Sequence, residues 1–141
     1  RDGDDIVVLG LGPILARGMR VAGDLAAEGW SVGVVDARFV RPLDRELILA
    51  AAQRARLLVT LEESALPGGF GSAVLEVLAD AGAAPRPPVK RIGLGDGAFI
   101  DHGSVSDLRR LVRVDEAGIR EQIDEAIATH GLAPVAATTE A

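Results

Sequence analysis

Three short apolar runs, Ile6–Leu9, Val32–Asp36 and Leu57–Leu61, and a less uniform fourth, Val89–Leu94, alternate with longer segments patterned for helix. This alternation narrows the fold more than any other feature. Short runs rich in Val, Leu and Ile suit strands buried on both faces. After the first run, Pro13 suits the first turn of a helix. Ile14, Leu15, Gly18, Ala22, Leu25 and Ala26 then share one helical face, and Gly29 fits the position past its end. Asp44 suits a cap on a helix with inner residues Leu47, Ile48, Ala51 and Ala52. Gly71–Ala81 reads as a helix with Val74, Leu75 and Leu78 inward, and Pro85–Pro88 breaks the chain. Ser104 and Asp115 each suit a cap. The last helix carries Ile119, Ile123, Ala126 and Ile127 on one face and ends at Gly131. Strands alternating with helices imply an α/β fold, a mostly parallel sheet with helices on both faces and right-handed crossovers. Residues 1–131 form one domain in this reading. Leu132–Ala141 has no period and is expected to be a disordered tail.

A chain of 141 residues with 48% hydrophobic residues can bury one sizeable core. Aromatics are only 3%, so that core must be aliphatic. The net charge of −6 argues against a nucleic-acid surface. No cysteine is present, which removes disulfides and thiolate metal sites, and two histidines are too few for a His-based metal cluster. No apolar run approaches the ~20 residues of a membrane span, so no membrane partner is expected. Arg1–Asp5 leads straight into a strand with no sign of a signal peptide, and an initial Arg in place of Met suits a piece of a longer product.

Several motifs admit both a chemical and a plain structural reading. Gly10–Leu11–Gly12 lies between a strand and a helix, and Asp36 ends the second strand, where a ribose-binding carboxylate would sit. Leu15 occupies the place of the third small residue of that fingerprint. The structural reading is a tight turn that needs glycine. Gly68–Gly69–Phe70–Gly71–Ser72 precedes a helix, whose start could bind an anion. It lacks the lysine of a P-loop, and a plain turn is the simpler reading. Glu62 and Glu63 sit at a strand end, where adjacent side chains point to opposite faces, so an interface or loop anchor suits them better than paired acid–base chemistry. Asp101–His102 suggests a carboxylate–imidazole pair, but a structural bond or a subunit contact suits His102 better. Arg38 and Arg41 flank Phe39; the segment is either a partner-binding loop or a loop with Phe39 folded beneath it as core. No complete catalytic, cofactor or metal site is found. The interface candidates are Arg38, Phe39, Arg41, Glu62, Glu63, Phe70 and His102.

Val35–Asp44 (VDARFVRPLD), Leu58–Glu63 with the GGFGS turn, Arg91–Leu94 (RIGL), Phe99–Gly103 (FIDHG) and Val114–Ile119 (VDEAGI) together resemble the C-terminal domain of transketolase-like, thiamine-diphosphate-dependent enzymes. Within that group the chain looks most like the 1-deoxy-D-xylulose-5-phosphate synthases. Asp96–Gly97–Ala98 departs from the Pro-Asp pattern of that subfamily. The resemblance implies a three-layer α/β/α domain with a mixed sheet, one antiparallel edge strand preceding the first strand seen here. It implies a full-length transferase that condenses pyruvate with D-glyceraldehyde 3-phosphate and releases CO2, in isoprenoid precursor biosynthesis. Thiamine diphosphate and magnesium would be held by upstream domains absent from this chain, and by no residue of this domain. The chain alone would be inactive. Its task would be packing and assembly of a cytoplasmic homodimer. The same domain of a 2-oxo acid dehydrogenase beta subunit or a transketolase is the near alternative. A free-standing nucleotide-binding α/β module is the distant one.

Overall fold

The computed structural model describes residues 1–82, 86–95, 100 and 102–135. The elements are β1 (Ile6–Gly10), α1 (Leu15–Ala27), β2 (Val32–Asp36), α2 (Arg45–Arg54), β3 (Leu57–Ala65), α3 (Phe70–Asp80), β4 (Val89–Leu94), α4 (Val105–Leu111) and α5 (Glu116–Thr129). Among the described residues the sheet has four parallel strands in the order β2-β1-β3-β4. The predicted α/β architecture is therefore present.

Two apolar layers follow from the alternation of side chains along the strands. Ile6, Val8, Leu57, Val59 and Leu61 pack with Val21, Ala22 and Leu25 of α1 and Ile119, Ile123 and Ala126 of α5. Val7, Leu9 and Leu58 pack on the opposite face with Ile48, Ala51 and Ala52 of α2 and Phe70, Val74, Val77 and Leu78 of α3. This is the three-layer arrangement. The capping residues act as read: Asp44, Ser104 and Asp115 accept from the backbone N–H of Leu47, Asp107 and Gly118.

The chain's first residue adds an antiparallel feature. Arg1 and Val34 exchange both backbone hydrogen bonds, 3.1 and 2.9 Å long, at the outer edge of β2. That exchange is the signature of an antiparallel pair. Among the described residues no antiparallel strand pairs with the sheet, and the edge strand that the resemblance implied is not seen.

Three details differ from the sequence reading. β3 runs to Ala65, so Glu62 and Glu63 lie within the strand, with a register irregularity between Leu61 and Ala65 against β4. Polar side chains hid this extension from a reading based on apolar runs. In α3 the inner position expected for Leu75 belongs to Val77; Leu75 is 38% exposed. The helix begins at Phe70, which sets an inner stripe of Phe70, Val74, Val77 and Leu78. The chain also stays against the body past Gly131. Leu132 packs on the α1–α5 layer, and Arg56 donates to the Ala133 carbonyl at 2.8 Å. Residues 136–141 of the expected tail lie outside the described residues.

Candidate functional site

The carboxyl ends of parallel strands are where α/β domains bind ligands. At that edge stands Glu62, 0% exposed. One carboxylate oxygen accepts from the Phe70 N–H at 2.7 Å and the other from the Gly71 N–H at 2.8 Å. The Ser64 hydroxyl donates to it as well. Glu62 is thus an internal cap for α3, supplied by the strand that precedes it. Its negative charge sits at the positive end of the helix. The anchoring role anticipated for the glutamates is realised here, and the anion-binding potential of the glycine turn is taken up by the chain's own carboxylate.

The glycines make this approach possible. A Cβ on Gly69 would collide with the Ala65 carbonyl and the Glu62 carboxylate. A Cβ on Gly71 would lie 2.6 Å from Thr60 Oγ1 and 2.9 Å from Arg91 Cδ. The left-handed residue of the turn is Gly68, at φ +69. Arg91 completes the anchor, donating to the Leu66 carbonyl at 3.1 Å and to Ser72 Oγ at 3.0 Å. The sequence reading missed Arg91. Its signal was an arginine inside a strand segment, which needs polar partners if it points inward.

Glu63 points to the other face, as neighbouring strand residues must. Its Oε1 accepts from Arg17 of α1 at 3.1 Å and from Arg109 of α4 at 2.6 Å. The two glutamates therefore do not meet as an acid–base pair. Glu63 ties α4, which has no buried residue of its own, to the body.

The glycine turn gives little support to the nucleotide reading. Gly12 is left-handed at φ +80, as a tight turn requires, but the Leu15 side chain fills the space directly over Gly10. Leu15 stands where the fingerprint has its third small residue, which lets the helix pack close on the strand, so the motif is incomplete here. Asp36 is engaged locally: its Oδ1 accepts from the Arg38 N–H at 3.1 Å. The same test applies to thiamine diphosphate and magnesium. The glycine-rich helix start is occupied by Glu62, and among the described residues no three His, Asp or Glu side chains group as metal ligands.

The interface candidates divide. Glu62 and Phe70 are corrected: at 0% and 1% exposure both lie inside the domain, Phe70 as a core residue between sheet and α3, so neither offers surface to a partner. Glu63 spends its carboxylate on Arg17 and Arg109. Arg38, Phe39 and Arg41 are on the surface, and Phe39 is 62% exposed, which removes the reading that buries it. His102 is exposed just before α4; Asp101, its suggested partner, lies outside the described residues.

Residues 1–131 match the family described as "Transketolase, C-terminal domain". Over 131 residues the chain is 48% identical to the 1-deoxy-D-xylulose-5-phosphate synthase of Thermomicrobium roseum, covering 93% of this chain and 20% of that protein. It is 43% identical over 130 residues to 1-deoxy-D-xylulose-5-phosphate synthase 1 of Geobacter sulfurreducens, covering 92% of this chain and 20% of that one. It thus spans about a fifth of the length of these curated relatives. Among solved structures, a "Split gene transketolase, inactive beta4 tetramer" superposes with a TM-score of 0.80 at 30% identity, covering 91% of this chain and 41% of that one. With the predicted motifs, the observed sheet and the match over residues 1–131 in agreement, this chain belongs to the transketolase C-terminal domain family.

Proposed function

We propose that this chain is the C-terminal assembly domain of a 1-deoxy-D-xylulose-5-phosphate synthase. In this reading the full-length enzyme joins pyruvate to D-glyceraldehyde 3-phosphate with loss of CO2, and its upstream domains hold thiamine diphosphate and magnesium. The domain's own contribution is to pack against those domains and to hold a homodimer together. One observation carries the assembly role. The place where this fold would bind a phosphate is closed by Glu62, while an aromatic residue flanked by arginines stands exposed on the neighbouring loop. Buried chemistry is thus spent on rigidity and surface chemistry is offered outward. Identities of 48% and 43% to synthases favour this parent over a dehydrogenase subunit or a transketolase.

The test is removal of residues 1–131 from the full-length protein, followed by sedimentation and measurement of CO2 release from pyruvate. The expected result is dissociation with a matching fall in turnover. A truncated protein that stays dimeric and fully active would contradict the assembly role.

A further inference from the structure

The helices α1, α2, α3 and α5 each bury at least three residues, whereas α4 buries none. Val105 and Leu111, at its two ends, are 61% and 70% exposed. A helix of seven residues does not hold itself together in water, so what fixes α4 must come from its surroundings. Those surroundings are open. A hollow of about 280 Å³ lies between α4 and the end of β4, lined by Val105 and Leu108 on one side and Leu94 and Val114 on the other. On the side of α1 and α5 a cleft of about 430 Å³ separates Ser106 and Arg110 from Arg17 and Glu116. Side chains that face such spaces lack partner atoms on that side, so little dispersion energy holds the helix down.

The two ends of α4 are held differently. Past its C-terminal end the chain is fixed: Val112 packs on the α1–α5 layer and Val114 is 1% exposed. Arg113 between them is left-handed at φ +58, and its backbone runs so close to α5 that a Cβ on Gly118 would lie 2.5 Å from Arg113 Cα. At the N-terminal end the Ser104 cap accepts from the Asp107 N–H at 3.1 Å, a bond that belongs to the helix and would travel with it. Among the described residues, the one side-chain hydrogen bond from α4 to the body runs from Arg109 Nε to Glu63 Oε1, at 2.6 Å. Glu63 itself is steadied by Arg17, whose side chain is 12% exposed.

We propose that α4 is a hinged strap. It swings away from the body about residues 112–115 while the rest of the domain stays folded, and the Glu63 carboxylate is the latch that holds it closed. Elements with few buried apolar contacts open at far lower cost than the core around them. Opening uncovers Leu94 and Val114 on the body and leaves the Arg17–Glu63 pair in place. The proposal goes beyond the assembly role and does not depend on it.

The chain has no cysteine, so two introduced cysteines can carry spin labels for pulsed distance measurement. Ser106→Cys with Asp24→Cys reports the distance from α4 to α1, and Asp24→Cys with Ala128→Cys, on α1 and α5, is the control; all three sites are exposed. With Glu63 present, one short distance should dominate the α4 pair. Glu63→Gln should raise the population of a longer distance about fivefold, the order expected for loss of one partly exposed ion pair. Arg109→Gln should do the same, and the two changes together should add nothing, because they remove the same bond. The control distance should stay sharp throughout. A single unchanged distance for the α4 pair in every variant, or a control that broadens together with it, would overturn the proposal: the first would make α4 a fixed part of the body, the second would mean that it opens only when the whole domain does.

Discussion

Replacing Glu62 by Gln keeps the shape of the side chain and removes its charge. In the native domain the two oxygens accept from the Phe70 and Gly71 N–H groups, at 2.7 and 2.8 Å, with no solvent contact. A glutamine keeps one acceptor and turns an NH2 group toward the other N–H. One charge-assisted bond is lost, worth about 1.5–3 kcal/mol, and a buried donor is left without a partner, at about 1–3 kcal/mol. These overlap, so the expected loss is about 2–4 kcal/mol. That is a large part of the ~5–15 kcal/mol that holds a typical domain together. The neighbouring Glu63→Gln is the control. Its side chain is 28% exposed and its partners are arginines that can reach water, so about 1 kcal/mol or less is expected. Urea unfolding at neutral pH measures both. If Glu62→Gln falls within ~0.5 kcal/mol of the native domain, or if Glu63→Gln costs more, Glu62 does not act as the cap of α3.

Three further outcomes follow from other residues. Gly71→Val should lower stability by about 1–3 kcal/mol through overpacking against Thr60 and Arg91, read as a drop in melting temperature, whereas a neutral result would mean the helix start can shift freely. Thr60 Oγ1 is buried without a hydrogen-bond partner among the described residues, so Thr60→Val should be neutral or stabilising by up to about 1 kcal/mol in urea unfolding, and a clear loss would reveal a partner for that hydroxyl. The Arg120 guanidinium donates to both Glu28 oxygens, at 2.8 and 2.7 Å, and holds that carboxyl below its ordinary value of 4.5. A depressed pKa contributes stability that is present above the unfolded value and lost as pH falls through the folded one. Glu28→Gln should therefore lower stability at every pH above about 4.5, leave the most acid end unchanged, and so flatten the acid side of the stability curve.

The fold was legible because its signals are local and independent. Apolar runs placed the strands, and capping residues such as Asp44 and Asp115 placed helix starts. The helix phase was harder where two apolar residues compete, as with Leu75 and Val77 in α3, since only the helix start at Phe70 decides which faces inward. The end of β3 was hidden because its last residues are polar and their partners come from distant segments. Glu62 read as a strand-end residue open to an interface, and the turn that folds back over it buries it. For the same reason Phe70 read as an exposed loop aromatic and proved to be core, while Phe39 stands in water. A sequence gives the type of such a residue, and the return path of the chain decides its surroundings.

The most direct test of the central claim is the reaction of the full-length protein that carries this domain. Given thiamine diphosphate, magnesium, pyruvate and D-glyceraldehyde 3-phosphate, it should release one CO2 for each 1-deoxy-D-xylulose 5-phosphate formed, read by coupled CO2 release and product mass. Turnover of ketose and aldose phosphates without CO2 release would make the parent a transketolase, and would contradict the account.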